Sequence, residues 1–188
     1  GNNLWIGTYT GGLNVMDLTT KQFRHYYSHL SDTTTLSSNS AYAIYKDTKD
    51  NIWIGTMLGI NLYDRASDSF RRVKMHNETT IDILQVDNLI WFATNGDGLF
   101  SYNLDTEVWK HYRFDPDDLS SLISNNVMCL CLDERDQLWI GTNSGLCKYD
   151  PLNDRFILPN TGIGNNSICK IFSDNGHLWI TTTKGLIE

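Results

Sequence analysis

The sequence has no long hydrophobic run, no excess of positive charge and little proline, and each absence excludes a class of protein. No stretch of about 18 apolar residues occurs, so no membrane-spanning segment is predicted, and the first residues do not resemble a signal peptide. Fifteen Lys and Arg residues against 22 Asp and Glu residues give a net charge of −7, which argues against a nucleic-acid-binding face. With three prolines and no low-complexity segment in 188 residues, a folded domain with a substantial core is expected.

Cysteine is scarce and is confined to the last third of the chain. Cys129 and Cys131 lie two residues apart in an apolar strand, and strand neighbours on one face seldom have disulfide geometry. A zinc site would need a second closely spaced pair, which Cys147 and Cys169 do not form. We therefore expect four small buried hydrophobic residues, with no metal and no other cofactor.

One motif, by contrast, occurs five times. A tryptophan followed by an apolar residue, a small residue and threonine begins at Trp5, Trp53, Trp91, Trp139 and Trp179. These tryptophans are separated by 48, 38, 48 and 40 residues. Repetition at about 40 to 50 residues is typical of the blades of a β-propeller.

The second repeat shows how one blade is built. Apolar strands are predicted at residues 41–46, 52–56, 60–63 and from 70 to 73, with polar turns between them. The sequence thus predicts an all-β fold, a β-propeller fragment of four-stranded antiparallel blades. The predicted division is a partial blade at 1–27, blades at 39–75, 79–114 and 126–159, and a partial blade at 166–188.

The residues of the motif have structural explanations. Each tryptophan is expected to be buried between neighbouring blades, and the small Gly7, Gly55 and Gly141 would let the next sheet approach. A second set of glycines is expected to adopt positive φ before the third strand, namely Gly59, Gly98, Gly145 and Gly185. A set of aspartates is expected to cap the turn between the first two strands, namely Asp47, Asp133 and Asp174.

The segment Leu36-Ser37-Ser38-Asn39-Ser40, followed by the strand that ends at Asp47 and by Asn51-Ile52-Trp53-Ile54-Gly55-Thr56, closely resembles the two-component regulator propeller repeat. Residues 122–150 show the same pattern again. The third repeat departs from it, because Phe92-Ala93 replaces Ile-Gly. The resemblance covers nearly the whole chain.

This resemblance implies the periplasmic sensor region of a bacterial hybrid two-component system. In that family, such repeats form seven-bladed wheels ahead of a membrane segment, a histidine kinase and usually further regulatory regions. Products of polysaccharide breakdown are common signals. The resemblance therefore implies a non-enzymatic region whose partner is an oligosaccharide or another small ligand, inside a larger histidine kinase.

Two other functions remain open, a scaffold propeller for protein partners and a propeller lyase. A lyase would need an acid and a base converging at one mouth of the channel, and no such pair is evident. His25 and His111 occupy equivalent places after a fourth-strand aromatic residue, where solvated positions are expected. The acidic segments 95–98 and 115–118 lack the spacing of a twelve-residue calcium loop and are interpreted as turns.

The ligand contacts are expected at the rim formed by the turns between strands two and three and by the connections between blades. Residues 27–38 and 113–124 form the two longer connections. The candidate ligand-binding residues are Tyr9, Met57, Asn95, Asp97 and Asn143.

The position of the repeats within the chain leads to a last expectation. The sequence begins at a second strand and ends after a third strand, so it is interpreted as a piece of a longer protein. Two blade faces rich in Trp and Ile would then be exposed, and the fragment is expected to self-associate through them.

Overall fold

The chain is built from short β-strands. The computed structural model describes residues 2–74, 78–160 and 162–187, and contains no helix within them. No segment of these residues is therefore a helix long and apolar enough to cross a membrane. The strands are β1 Asn3–Gly7, β2 Leu13–Asp17, β3 Phe23–Tyr26, β4 Ala41–Lys46, β5 Ile52–Thr56, β6 Gly59–Asp64, β7 Ser69–Lys74, β8 Thr79–Val86, β9 Leu89–Asn95, β10 Leu99–Asn103, β11 Trp109–Tyr112, β12 Val127–Leu132, β13 Leu138–Thr142, β14 Gly145–Asp150, β15 Arg155–Ile157, β16 Ile168–Asp174, β17 His177–Thr182 and β18 Gly185–Ile187.

The strands form antiparallel meanders in which each strand pairs with its neighbours in sequence. Within the described residues there are five sheets: blade 1 (β1–β3), blade 2 (β4–β7), blade 3 (β8–β11), blade 4 (β12–β15) and blade 5 (β16–β18). Three sheets of four strands thus lie in sequence between two sheets of three strands, which confirms the predicted all-β propeller blades. The residue limits assigned to the blades from the sequence stay a prediction.

The chain divides into two compact units, Gly1–Ile83 and Leu84–Glu188. The boundary between them falls inside β8. In the first unit, blades 1 and 2 share a core. Its buried residues and the aromatic residues that pack on them are Leu13, Leu36, Ala41, Ile52, Ile54, Phe70, Trp5, Tyr26 and Tyr63. Ala41 opens β4, the first strand of blade 2, so the two sheets of this unit pack face to face.

In the second unit, a core of the same kind joins blades 4 and 5. It includes Cys129, Leu146, Ile168, Ile171 and Ile180. The register shift between Val127 and Cys129 in β12 recurs between Ala41 and Ala43 in β4 and between Ile168 and Lys170 in β16. Each of these first strands therefore begins with an irregularity, next to the connection from the preceding blade.

The glycines of the motif allow the sheets to approach closely. A Cβ atom on Gly55 would lie 2.8 Å from the Thr80 side chain of the next blade. A Cβ on Gly141 would lie 2.7 Å from Ile168, and one on Gly7 would lie 2.5 Å from the carbonyl oxygen of Ala41. Side chains cannot occupy these positions without movement of the backbone, so the predicted role of the glycines is confirmed.

The predicted turn residues are confirmed with one exception. Gly59, Gly98, Gly145 and Gly185 have φ between 79° and 129°. Asp47 and Asp133 accept hydrogen bonds from the backbone N–H groups of their turns. The prediction for Asp174 is wrong. Asp174 pairs with His177 across a turn of two residues, and its carboxylate accepts a bond from the Asn175 side chain instead of from backbone N–H groups of the turn.

The prediction of buried cysteines is also wrong at one position. All four cysteines are free; Cys129 and Cys147 are buried and Cys131 is half-buried, but Cys169 is exposed. Cys169 lies on β16 next to Ile168, and successive strand residues point to opposite faces. Burial raises the pKa of the Cys147 thiol to about 12.

The contacts of the first unit recur in the second unit 86 residues later. This spacing is the length of two successive blades, so two blades together form one larger repeat. In the first unit, the Asp68 carboxylate of blade 2 accepts a bond from the Tyr26 hydroxyl of blade 1 at 2.6 Å and pairs with Arg24 at 3.2 Å. In the second unit, Asp154 accepts a bond from Tyr112 at 2.7 Å and from Lys110 at 2.6 Å.

We call each of these groups a clasp. A tyrosine of the same blade completes it, Tyr63 in the first unit and Tyr149 in the second. The aspartate has a positive φ in both, 52° at Asp68 and 50° at Asp154, which turns its carboxylate toward the outer strand of the preceding blade. Each clasp thus joins the two blades of one larger repeat.

Candidate ligand-binding rim

In the second unit, the connection from blade 3 to blade 4 holds the turn that contains Asn95 and Asp97. The carbonyl oxygen of Asn125 accepts bonds from Gly96 N at 3.1 Å and Gly98 N at 2.8 Å. The side-chain oxygen of Asn125 accepts a bond from Phe114 N at 2.8 Å, at the start of the same connection. Asn125 therefore fixes the turn and the connection relative to each other.

Asp97 carries the main charge of this rim. Its carboxylate lies 3.3 Å from the Arg113 guanidinium and 3.5 Å from the ring of His111. The His111 Nε2–H donates to the Asp97 carbonyl oxygen at 2.6 Å, and the imidazole stacks on Phe100 with ring centroids 4.0 Å apart. The Asp97 side chain is 20% exposed, so part of it is open to solvent while its orientation is fixed.

Asn143 lies at the same rim, on the turn of blade 4. Its backbone N–H donates to the carbonyl oxygen of Asn126 at 3.1 Å, and its side-chain oxygen accepts a bond from Ser124 at 2.7 Å. Asn95 and Asn126 form an isolated antiparallel bridge. The structure therefore brings Asn95, Asp97 and Asn143 to one edge of the second unit, around the segment 124–126.

In the first unit, the equivalent edge is aromatic and apolar. Tyr9 is 74% exposed, and its ring meets that of Tyr42 edge-on at 6.0 Å. Met57 is half exposed, and its backbone N–H donates to Ser40 O at 3.0 Å. Tyr9 and Met57 thus lie on either side of the start of β4, and Gly11 occupies the position equivalent to Asp97.

The two long connections have the same internal bonds, 86 residues apart. Asp32 and Asp118 each accept bonds from the residue two positions later, Thr34 and Ser120. Thr34 and Ser120 in turn accept a backbone bond from the outer strand of the next blade, at 2.8 Å in each unit. The Asp118 N–H donates to the carbonyl oxygen of Asp115 at 3.2 Å, so residues 115–118 form a turn, as predicted.

The connections differ in how they are held. In the first unit, the Arg72 guanidinium donates to the carbonyl oxygens of His29, Asp32, Thr35 and Leu36 at 2.8 to 3.1 Å. The equivalent residue in the second unit is Leu158, which is exposed. A groove of about 440 Å³ runs along the second connection, lined by His111, Arg113, Phe114, Asp118, Ser121 and Phe156.

Sequence reasoning identified the turn residues of the rim but not their partners. His111 was expected at a solvated position, and it is exposed, yet it also contacts Asp97. Arg113 and Asn125 were missed, although Asn39 and Asn125 recur at the same place in the repeat. Over residues 2–74, 78–160 and 162–187, no group of three or more His, Cys, Asp or Glu side chains is close enough to hold a metal ion.

Comparison with known proteins places these repeats in a family. Residues 35–57 and 121–144 match the family described as two component regulator propeller. Histidine kinase P4 of Formosa agariphila is 32% identical over 153 residues, which cover 76% of this chain and 11% of that protein. The chain thus spans about a tenth of the curated relative that it matches.

Solved structures share the fold. The extracellular domain of the hybrid two component system BT3049 from B. thetaiotaomicron superposes with a TM-score of 0.79 at 24% identity, over 98% of this chain and 25% of that chain. A catalytically inactive variant of virginiamycin B lyase from Staphylococcus aureus gives 0.69 at 14% identity, over 95% of this chain and 59% of the lyase. The segments 35–57 and 121–144 therefore carry the repeat of the two-component regulator propeller family, and the solved structures share its fold.

Proposed function

We propose that this chain is an extracytoplasmic, ligand-sensing propeller region of a hybrid two-component sensor, and that its ligand is a fragment of a glycan. The observation that supports this proposal is the Asp97 group at the rim of the second unit. A carboxylate paired with a guanidinium, beside an imidazole that binds the backbone of the same residue and with amides nearby, offers acceptors and donors in fixed positions. The hydroxyl groups of a sugar are complementary to such a set.

The groove beside the Asp97 group supports the same ligand class. Phe114 lines this groove and is 46% exposed, and an apolar ring face can pack on the C–H face of a sugar. Arg113 is exposed and can also pair with an acidic sugar, because a guanidinium binds carboxylate and sulfate groups well. The proposed contacts are Asn95, Asp97, His111, Arg113 and Asn143.

The proposed location and signalling role are supported by the proteins that this chain resembles. The similar domain of BT3049 is described as the extracellular domain of a hybrid two component system, and the similar curated protein is a histidine kinase. In this proposal, the repeats lie in the periplasm, have no catalytic role, and transmit ligand binding to a kinase elsewhere in the protein. The resemblance to the lyase is confined to the fold, because its identity to this chain is 14%.

Binding to a panel of neutral and acidic oligosaccharides, measured by calorimetry with the 188-residue chain, tests this function. We expect one class to bind, and Asp97→Ala and Arg113→Ala each to weaken binding by about tenfold. Glu134→Ala is the matched control, since it removes one exposed carboxylate from the turn between β12 and β13, away from the rim. Binding that is unchanged in both rim variants would overturn the site, and no binding to any oligosaccharide would overturn the ligand class.

A further inference from the structure

The tryptophan of the repeat donates its indole N–H to a carboxylate in two blades. In blade 2, Trp53 Nε1 donates to Asp47 at 2.8 Å, and in blade 4, Trp139 Nε1 donates to Asp133 at 2.8 Å. Both aspartates directly follow the first strand, six residues before the tryptophan. The fold thus places a carboxylate oxygen opposite this indole.

Blade 3 keeps the tryptophan but has no such carboxylate. Trp91 is 1% exposed, and its Nε1 has no hydrogen-bond partner among the described residues. The turn between β8 and β9 consists only of Asp87 and Asn88, and the residue before it is the apolar Val86 rather than an aspartate. A buried N–H group without an acceptor is costly, since it has lost its bond to water and gained no other.

A cleft of about 350 Å³ lies next to this tryptophan, in the second unit. Trp91 and Tyr149 line it, together with the apolar side chains of Val86, Leu89, Leu138 and Leu152. Two cationic side chains, Arg135 and Lys148, also line it. This volume is at the lower end of the range found for small-molecule sites. The cleft lies at the β8–β9 turn, whereas Asn95 of the rim ends β9 at its other end and Asp97 follows it.

The charges around the cleft favour an anion beside Lys148. The described contacts of its ammonium group are the Gln137 amide oxygen at 3.2 Å and the ring of Trp139 at 5.9 Å, and neither partner is charged. Of the three carboxylates that also line the cleft, Asp150 is already bound by Arg155 at 3.1 Å and by Asn153 at 2.8 Å. Asp87 and Asp136 are at exposed turn tips, where solvent screens their charge.

We propose that this cleft binds a small organic carboxylate whose oxygen accepts the Trp91 N–H, in the place that Asp47 and Asp133 fill in the other blades. The Lys148 ammonium pairs with the carboxylate, and the apolar body of the ligand packs on Leu89 and Leu152. This site is separate from the rim proposed for sensing, so either can be disproved without the other.

Benzoate is a suitable probe, because it has a carboxylate on a compact apolar ring. Titration of the ¹⁵N-labelled chain should produce a saturable shift of one indole N–H resonance, and Trp91→Phe identifies that resonance by its loss. Calorimetry should show benzoate binding weakened by about tenfold in Trp91→Phe and in Lys148→Leu. Leucine at position 148 reproduces Leu62, the equivalent residue of blade 2.

The controls separate the proposed site from a general effect on the fold. Trp53→Phe removes an indole that already has its acceptor and should leave benzoate binding unchanged. If Trp91→Phe does not fold, the resonance shift in the unmodified chain and the Lys148→Leu variant still decide the question. An unshifted Trp91 resonance, equal binding by Trp91→Phe, or equal binding of the neutral benzyl alcohol would each overturn the proposal.

Discussion

A buried carboxylate organises the turn between the first and second strands of a blade. Asp47 is 4% exposed and accepts bonds from the backbone N–H groups of Lys49 and Asn51, from the Asn51 side chain and from the Trp53 indole. One side chain therefore accepts the backbone hydrogen bonds of the turn and also orients the large indole ring that fills the space between sheets.

Asp47→Ala should destabilise the chain by about 3 kcal/mol, since the variant leaves a buried indole N–H and backbone donors without an acceptor. The midpoint of urea unfolding measures the change. Asp174→Ala is the matched control, and it should cost less than about 0.5 kcal/mol because that carboxylate accepts only a side-chain bond from Asn175 among the described contacts. Equal losses in the two variants would contradict this role of Asp47.

The sequence predicted the turn-capping role of Asp47 but not its bond to the indole. Capping is local and follows from residue type, whereas the indole bond depends on the rotation of a side chain on the next strand. The spacing carried the signal, because Asp47 and Asp133 precede their tryptophans by six residues and Asp174 precedes Trp179 by five. The turn of blade 5 is one residue shorter, because Asp174 pairs with His177 across Asn175 and Gly176.

At the scale of elements, the clasps join the outer strand of one blade to a turn of the next. The Tyr26 and Tyr63 hydroxyls, followed by Arg24, hold the pKa of Asp68 below its usual range. Burial opposes this at Asp154, but bonds from Lys110, Tyr149 and Tyr112 still lower its pKa. Both clasps therefore favour the ionised carboxylate.

The clasps should make stability depend on acid pH. A native pKa below the unfolded value of about 3.9 contributes stability that is complete above that value and is lost as the pH falls through the native pKa. We expect Asp68→Asn/Asp154→Asn to be less stable than the unmodified chain at pH 7 and to lose less stability between pH 5 and pH 2. Urea midpoints across this range measure the effect.

A control shows whether the effect belongs to the clasps. Glu134→Gln removes one exposed carboxylate outside them and should retain the decline of the unmodified chain. A double variant that declines as steeply as the unmodified chain would show that the clasps are not the source.

The strands were predictable and the clasps were not. Alternation, turn residues and the constant spacing of six from Asp64 to Phe70 and from Asp150 to Phe156 defined the third turn in each blade. The residue that makes the clasp varies at one position of this turn, which is occupied by Lys21, Asp68, Glu107 and Asp154. Comparing the blades one by one does not show a pattern at this position. Comparing residues 86 positions apart shows that every second blade carries the aspartate. The rim partners of Asp97 were missed for a similar reason, because they lie on another strand.

At the scale of the whole molecule, each of the two units is a series of repeats in which neighbouring sheets share a core. Blade 5 shows the face that a sheet presents when no described residue covers it. Ile171 and Ile180 are paired in register and lie in the core with Ile168, while Phe172 and Trp179 are paired on the opposite face. Phe172 is 63% exposed and Trp179 is 36% exposed, and Leu186 on the next strand is 63% exposed.

We expect two copies of the 188-residue chain to associate through this face, because contiguous exposed apolar residues on one flat sheet favour burial. Sedimentation at tens of micromolar should show a mass that rises with concentration. Phe172→Arg should shift the chain to the monomer, since it places a charge at the centre of the face. Leu119→Arg is the matched control, because Leu119 is 91% exposed in the connection of the second unit and outside this face. A chain that remains monomeric with blade 5 ordered, or an association that Phe172→Arg leaves unchanged, would show that this face does not bind a second copy.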